Sequence, residues 1–218
     1  MVPGDRRGAA KVLMPQQIAI VDYGMGNLHS VQRKFSRIGA RTTVTSDPGV
    51  IGRAEKLVLP GVGHFQRAME NLRQLRLLEA LNDARARRIP VLGICLGMQL
   101  MAHRSEEGDT DGLGWLDAKV VRFKVGDRVR FKVPHMGWNE IVQKKKSALF
   151  KNIPDRAEFY FVHAYHLVAN REAIVLSETE YDYSFASAVE SENIFGVQFH
   201  PEKSQDIGES LLQNFMDL

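Results

Sequence analysis

Residues 91–100 have the sequence Val-Leu-Gly-Ile-Cys-Leu-Gly-Met-Gln-Leu and hold the only cysteine of the chain, Cys95. The apolar beginning predicts a buried strand, and Gly93 and Gly97 allow a sharp turn with close packing of strand against helix. This pattern is the cysteine counterpart of the Gly-x-Ser-x-Gly turn that exposes the nucleophile of serine hydrolases. A helix that begins at the turn favours the reactive thiolate. The segment therefore predicts a nucleophilic thiol at the tip of a strand–turn–helix unit.

Short apolar segments alternate with helix-like segments up to about residue 104. Helices are expected at 28–38 and 66–88, a turn at 47–49, and strands at 18–22, 41–45, 56–59 and 91–95. Such alternation indicates βαβ units. The sequence therefore predicts an α/β fold with a central, mostly parallel sheet flanked by helices.

After about residue 112 the pattern changes to closely spaced strands, expected at 118–123, 129–133, 158–165, 173–177, 185–190 and 194–199. They predict an antiparallel or mixed extension of the sheet, followed by an amphipathic helix at 204–217. No linker divides residues 18–218, so one domain is expected there. Residues 1–17 lack the apolar segment of a secretory signal. They are expected to be a disordered extension, or in part to precede the true start of the chain near Met14.

The composition is that of an ordinary globular protein and excludes several classes of function. The formal net charge of +3 over 218 residues is too small to indicate nucleic-acid binding by itself. A single cysteine excludes an intrachain disulfide and a cysteine-rich zinc site, which fits the cytoplasm. No apolar run is long enough for a membrane-spanning helix. The histidines lack metal-ligand spacing, so neither a metal nor a cofactor is expected.

His200 and Glu202 follow the last predicted strand and are separated by a single proline. In extended backbone, residues two apart face the same side, so both side chains can turn toward one site. A histidine is the natural base for a thiol and the natural acid for a leaving amine, and a carboxylate can orient its ring. Together with Cys95 they predict a nucleophile–base–orienter triad.

A strand that runs into Pro-Gly-Val-Gly at residues 60–63 is a candidate oxyanion site. Backbone N–H groups of Gly61, Val62 and Gly63 can approach a ligand closely, and the N–H of Leu96 lies directly after the nucleophile. A plain strand-to-helix turn explains the same residues equally well. The sequence by itself leaves these two interpretations open.

Three motifs together resemble a known enzyme family. They are Gly-Ile-Cys-Leu-Gly-Met-Gln at 93–99, Pro-Gly-Val-Gly at 60–63 and His-Pro-Glu at 200–202. Their combination is similar to that of the class I, or triad, glutamine amidotransferases. The resemblance extends from about residue 18 to residue 218 and implies a single domain of that fold.

Three further motifs resemble one branch of that family, the glutaminase subunits of imidazole glycerol phosphate synthase in histidine biosynthesis. They are Asp-Tyr-Gly-Met-Gly-Asn-Leu at 22–28, Pro-His-Met-Gly-Trp-Asn at 134–139 and Tyr-Phe-Val-His at 160–163. The resemblance implies that Cys95 attacks the side-chain amide of glutamine and that Gln99 and Glu107 bind the substrate. Glu107 would pair with the α-ammonium group, although the adjacent Glu106 leaves that assignment open.

The same resemblance implies a protein partner. In this branch, ammonia passes to a (β/α)₈-barrel cyclase subunit, which forms a heterodimer with the glutaminase. The residues expected on the partner face near the ammonia exit are Trp138, Asn139, Tyr160 and Lys203. Local packing or solvation explains each of these residues equally well.

Three other functions compete with this interpretation. An amidotransferase subunit of an anthranilate- or aminodeoxychorismate-type synthase would share the triad, but the motifs at 22–28 and 134–139 disfavour it. A non-catalytic regulatory subunit is disfavoured because all three triad residues are present. A γ-glutamyl hydrolase that acts alone is disfavoured by the partner-type motif.

Overall fold

The computed structural model describes residues 17–218, and the expectation of a disordered extension therefore lies, except for Gln17, outside the described residues. The helices are α1 (Leu28–Arg37), α2 (Pro48–Arg53), α3 (Phe65–Gln74), α4 (Leu77–Ala86), α5 (Leu96–Leu100) and α6 (Gln205–Asp217). Within the described residues, no helix is both long enough and apolar enough to span a membrane.

The chain forms strands along its whole described length. They are β1 (Gln17–Val21), β2 (Arg41–Thr45), β3 (Lys56–Gly61), β4 (Val91–Cys95), β5 (Arg104–Ser105), β6 (Thr110–Asp111), β7 (Ala118–Arg122), β8 (His135–Glu140), β9 (Val142–Gln143), β10 (Glu158–His163), β11 (Tyr165–Ala169), β12 (Val175–Glu180), β13 (Ser184–Ser191) and β14 (Ile194–Val197).

A twelve-stranded sheet with the order β2-β1-β3-β4-β14-β13-β11-β7-β5-β6 forms the centre of the molecule, with β12 and β9 paired beside β13. The five strands from β2 to β14 are parallel to their neighbours, and the pairs beyond β14 are antiparallel except for β5 with β7. The predicted α/β class with an antiparallel or mixed extension is therefore confirmed. Strands β8 and β10 pair separately as a two-stranded antiparallel sheet.

The parallel strands bring distant segments of the sequence to one edge. Gly61 at the end of β3 pairs with Cys95 at the end of β4, and Val197 at the end of β14 pairs with Ile94. Strands β3, β4 and β14 are buried throughout, as expected for parallel strands covered on both faces. The residues that follow β14 therefore emerge beside Cys95.

Two predictions on the helices are wrong in detail. The single helix expected at 66–88 is two helices, because Leu75 and Arg76 interrupt it and Arg76 has the left-handed value φ = 56°. The turn expected at 47–49 instead begins α2: the Asp47 side chain accepts the N–H of Gly49, and Pro48 occupies the first turn.

Two predicted strands also differ. Residues 129–133 form no strand, because Asp127 accepts the N–H groups of Val129 and Arg130 and holds a turn. The strand expected at 158–165 divides at Ala164, where the chain passes from the two-stranded sheet into the central sheet. This division places the end of β10 and the start of β11 beside the candidate site.

Candidate active site

Cys95 occupies a sharp turn between β4 and α5. Its backbone has φ = 53° and ψ = −109°, which is unusual for a residue other than glycine, and its side chain is 6% exposed. The flanking glycines are required by packing, because a Cβ atom on Gly97 would lie 1.6 Å from the carbonyl oxygen of Leu59 and one on Gly93 would lie 2.7 Å from the Met98 nitrogen. The surrounding elements therefore hold Cys95 in a strained conformation at the tip of the turn.

His200 and Glu202 form a buried pair directly after β14. The Nδ1 atom of His200 lies 2.8 Å from Oε1 of Glu202, and both side chains are almost fully buried. A carboxylate accepts, so Nδ1 carries the hydrogen and Nε2 is the atom that exchanges a proton. Within residues 17–218, Nε2 is buried and lies outside hydrogen-bond geometry with every group, as is common in catalytic sites without substrate.

The electrostatics of this pair favour the imidazolium form. Burial lowers the pKa of His200, but the negative charges of Cys95 and Glu202 outweigh burial and raise it to about 10. At neutral pH the ring is therefore protonated beside the sulfur. This arrangement can supply a proton to a leaving group.

Backbone hydrogen bonds fix the position of His200. Its N–H donates to the carbonyl of Tyr160 at 2.8 Å. The hydroxyl of Ser204 donates to the His200 carbonyl at 2.7 Å and accepts the N–H of Tyr160 at 3.0 Å. The sequence prediction did not include Ser204, and its only signal is its place directly after the His-Pro-Glu motif. The segment around His200 is thus tied to β10.

The predicted oxyanion segment lies opposite Cys95. The hydroxyl of the buried Tyr23 donates to the Pro60 carbonyl at 2.7 Å. Burial and, next, the negative charge of Cys95 raise the pKa of Tyr23, so this hydroxyl keeps its proton. A Cβ atom on Gly61 would lie 2.1 Å from the Tyr23 oxygen, which requires glycine there. Gly63 has φ = 113°, a value that also favours glycine.

A cavity of about 280 Å³ opens beside the nucleophile. The predicted residues that line it are Val62, Gly63, Cys95, Leu96, Gln99 and Glu107. The other lining residues, which the sequence prediction did not include, are Pro134, Val162, His163, Ala164 and Tyr165. Gly61, His200 and Glu202 are not among the lining residues. The cavity has room for a small amino acid with its side chain directed at the sulfur.

Gln99 is buried, and both hydrogens of its amide are used. Its Nε2 donates to the carbonyl of Tyr165 at 2.9 Å and to Oε1 of Gln198 at 3.0 Å. Gln198 is fully buried, donates its own Nε2–H to Cys95 Sγ at 3.6 Å, and was absent from the sequence prediction. The Gln99 Oε1 atom is therefore the end that can accept a hydrogen bond from a ligand.

Glu107 and Glu106 face different cavities. Glu107 lies in the turn between β5 and β6, and its carboxylate accepts the Phe65 N–H at 2.7 Å. Glu106 accepts the N–H of Arg122 at 3.0 Å and lines a second cavity with Arg122 and Lys124. Of the two carboxylates, Glu107 is the one beside Cys95.

A row of buried histidines supports the wall formed by residues 162–165. His163 Nδ1 lies 2.8 Å from the Tyr165 carbonyl, and His163 Nε2 lies 3.0 Å from His135 Nδ1. Burial lowers the pKa of His135 to about 4 and lowers the pKa values of His163 and His166. All three rings are neutral at pH 7, so they act as hydrogen-bonding parts of the wall.

The outer face of the β8–β10 sheet presents Met136, Trp138 and Tyr160, with the carboxylates of Glu140 and Glu158 at one end. Met136, Trp138 and Tyr160, together with Lys203, are called the aromatic patch below. Met136 is 63% and Trp138 45% exposed, and the Lys203 ammonium lies 5.6 Å from the Tyr160 ring centre. Asn139 does not share this face. Its Nδ2 atom lies 2.9 Å from the Glu180 carbonyl oxygen and 3.3 Å from His135 Nε2. Trp138 and Tyr160 therefore share the outer face of this sheet, whereas the Asn139 side chain lies on its inner side.

The geometry is that of an amide hydrolase with a cysteine nucleophile, and a comparison with protein families gives the class. The family described as glutamine amidotransferase class-I matches residues 19–218. The chain therefore belongs to the class I glutamine amidotransferase family.

Curated relatives refine this assignment. The chain is 46% identical over 200 residues to the imidazole glycerol phosphate synthase subunit HisH 2 of Methanococcus maripaludis, covering 91% of this chain and 98% of the relative. It is 48% identical over 202 residues to the subunit HisH of Moorella thermoacetica, covering 92% and 94%. The resemblance stated from the motifs is confirmed.

Solved structures support the fold. The structure of PurLQS from Thermotoga maritima matches with a TM-score of 0.73 over 94% of this chain and 99% of that one. The sequences are 18% identical, so this match bears on the fold alone.

Proposed function

We propose that this chain is a glutaminase, which hydrolyses glutamine to glutamate and ammonia at Cys95 and acts as a subunit of imidazole glycerol phosphate synthase. The observation that carries the proposal is the buried His200–Glu202 pair beside the strained Cys95, with the pKa of His200 raised to about 10. A buried imidazolium beside a thiolate is the state in which a cysteine hydrolase begins its reaction.

In the first half of the reaction the Cys95 thiolate attacks the side-chain carbonyl carbon of glutamine. Backbone N–H groups of the segment 61–63 and of Leu96 receive the oxyanion. His200 gives its Nε2 proton to the amide nitrogen, the carbon–nitrogen bond breaks, and ammonia leaves. The products are a γ-glutamyl thioester on Cys95 and a neutral His200.

In the second half, water replaces ammonia. Neutral His200 takes a proton from the water as it attacks the thioester carbon, and the carbon–sulfur bond breaks. Glutamate leaves, and the thiolate and the imidazolium are restored. Glu202 remains ionised and stabilises the imidazolium in both halves.

Two side chains are proposed to hold the amino-acid end of glutamine. Glu107 and Gln99 both line the cavity, and the Glu107 carboxylate and the Gln99 Oε1 atom can accept hydrogen bonds. An α-ammonium group donates three hydrogens and fits these two acceptors. This arrangement would place the amide end of the substrate at the sulfur.

The names of the curated relatives, which are subunits of imidazole glycerol phosphate synthase, support a further subunit as the partner. The family resemblance implies that this partner is the cyclase that receives the ammonia. The aromatic patch supports it as well, since exposed Trp and Tyr side chains are enriched at protein interfaces. It is also coupled to the site, because Tyr160 carries a patch side chain while its carbonyl holds the N–H of His200. We therefore propose that the cyclase docks on the aromatic patch.

Glutamate release from glutamine tests the activity. We expect turnover by the chain mixed with its cyclase partner, and loss to background in the Cys95→Ala variant. Turnover that survives Cys95→Ala would contradict the mechanism.

Complex formation tests the partner. Trp138→Ala should weaken binding to the cyclase by about 2 kcal/mol or more, measured by titration calorimetry, as expected for an exposed aromatic anchor. Full activity without any partner would instead favour a hydrolase that acts alone.

A further inference from the structure

Gln198 is a buried amide that none of the steps above uses. It lies between the end of β14 and His200 and has no exposed surface. Its Nε2 atom is 3.6 Å from Cys95 Sγ, and its Oε1 atom is 3.0 Å from Gln99 Nε2. One amide thus contacts both the nucleophile and a side chain proposed to bind the substrate.

The direction of these hydrogen bonds follows from a single carbonyl. The Tyr165 carbonyl can only accept, so the end of Gln99 that faces it must be the NH₂ group. The second hydrogen of that NH₂ group must meet an acceptor, which makes the facing atom of Gln198 its Oε1. The remaining end of Gln198 is then its NH₂ group, and it points at the sulfur.

We infer that Gln198 is a further catalytic residue: its amide N–H stabilises the Cys95 thiolate and links it through Gln99 to the bound substrate. A buried donor to an ionised sulfur is a charge-assisted hydrogen bond. It acts beside the imidazolium of His200, and unlike His200 it cannot remove the proton. For its role in turnover, this inference rests on the proposed glutaminase function.

The link to Gln99 gives the hydrogen bond a second effect. Hydrogen bonds in series polarise one another in a buried site. An ammonium that binds the Oε1 atom of Gln99 makes the NH₂ group of Gln99 a better donor to Gln198. Gln198 in turn becomes a better donor to the sulfur, so substrate binding favours the thiolate.

Two substitutions separate this role from a structural one. Gln198→Met has a similar length and removes both hydrogen-bonding ends. Gln198→Glu keeps an acceptor for Gln99 but replaces the donor to sulfur with a carboxylate oxygen. If Gln198 only supports Gln99, alkylation of Cys95 in the substrate-free chain should keep its native rate in the methionine variant, whereas a donor to sulfur predicts that this rate falls.

Alkylation of Cys95 by iodoacetamide is the measurement, made on the full chain across pH 6–9 without substrate. It reports the thiolate directly, because the chain holds no other cysteine. The titratable groups around the sulfur are His200 with Glu202, Tyr23, His163 and Glu107. All of them are retained in both variants, and Gln198→Glu adds one carboxylate, whose charge also disfavours the thiolate.

We expect alkylation at pH 7 to slow about tenfold in Gln198→Met and further in Gln198→Glu, as for loss of a hydrogen bond to a charged group. Ser187→Ala is the matched control. Ser187 is also fully buried, and its hydroxyl shares a 2.9 Å hydrogen bond with Ser177 that the alanine variant loses. The Ser187 side chain makes no hydrogen bond to the sulfur. It should lower thermal stability and leave the alkylation rate unchanged. Alkylation of both Gln198 variants within twofold of the native rate would overturn the inference.

Turnover separates failure of this inference from failure of the proposed function. If the native chain with its partner releases glutamate, Gln198→Met should lower kcat, and it should also raise KM because Gln99 loses one of its two acceptors. If the native chain releases none while alkylation still depends on Gln198, the glutaminase proposal fails and the role of Gln198 at the sulfur stands. Normal alkylation and normal kcat in the methionine variant would refute the role of Gln198 alone.

Discussion

Buried histidines occur in two regions of this molecule, and their pKa values move in opposite directions. His200, after β14, has a pKa raised to about 10, whereas His135, under the β8–β10 sheet, has a pKa lowered to about 4. Burial lowers the pKa of both rings. The difference comes from the neighbours: His200 has a carboxylate and a thiol beside it, whereas His135 contacts the neutral ring of His163 and the amide of Asn139.

The opposite pKa shifts indicate that His200 has a chemical role and that His135 has a structural one. The carboxylate of Glu202 and the negative charge of the Cys95 sulfur keep a proton on His200, ready for a leaving group. The neutral rings pass hydrogen bonds in one direction, from Asn139 to His135, from His135 to His163, and from His163 to the Tyr165 carbonyl. They hold the cavity wall and carry no charge. Burial by itself thus produces a neutral histidine, and the adjacent anions produce the acid.

The largest expected effect is the separation of the two pKa values. Because His200 gains its proton below about pH 10, it is protonated at pH 8; because His135 gains its proton only below about pH 4, it is neutral at pH 6. Nitrogen NMR of a histidine-labelled chain, with each ring assigned by substitution, measures both. A neutral His200 ring at pH 7 would contradict the prediction that the two histidines differ in protonation.

Loss of the Glu202 carboxylate should lower the pKa of His200 and make its ring more like the neutral ring of His135. Glu202→Gln keeps a side chain of the same shape and removes the charge that favours the imidazolium. We expect kcat for glutamine hydrolysis to fall about 10³-fold, the scale of a general acid–base contribution. The steady-state rate of glutamate release measures it. Activity within tenfold of the native chain would show that the carboxylate is not required.

Removal of a neutral ring should affect stability more than chemistry. His163→Phe leaves the His135 N–H without its acceptor, so we expect the free energy of unfolding to fall by about 1–3 kcal/mol. Urea denaturation measures this loss. The kcat should fall much less than in Glu202→Gln. An equal loss of kcat in the two variants would give His163 a chemical role.

The smallest change in stability is expected at Asn139, where the series of hydrogen bonds through His135 and His163 begins. Asn139→Ala removes the donor to His135 and a hydrogen bond to the Glu180 carbonyl, which should cost about 1 kcal/mol of stability. Affinity for the cyclase should stay within about twofold of the native value, in contrast to Trp138→Ala. A tenfold weaker complex would place Asn139 at the interface.

Much of the parallel half of the fold could be predicted from local sequence. Apolar runs such as residues 91–95 and glycines such as Gly97 determine strand, turn and close packing within a few positions of one another. The break at Arg76 could not be predicted in this way, because the helical period of apolar residues continues on both sides of it. The division of a continuous apolar run at Ala164 depends on which of two sheets pairs with each end.

The candidate site shows the same limit. The sequence indicates the triad, because a cysteine, a histidine and a glutamate can be recognised by their chemical type and by the short motifs around them. These residues are Cys95, His200 and Glu202. Gln198 and Ser204 are ordinary polar residues whose importance depends on what folding brings next to them. Their roles follow only from distances across the sheet edge.

The γ-glutamyl thioester on Cys95 tests the central claim most directly. The chain and its partner are mixed with glutamine, quenched in acid during turnover and digested, and the Cys95 peptide is examined by mass spectrometry. We predict a γ-glutamyl group on that peptide, removable by hydroxylamine and absent in Cys95→Ala. Glutamate release without any such adduct, at an undiminished rate in Cys95→Ala, would contradict the account.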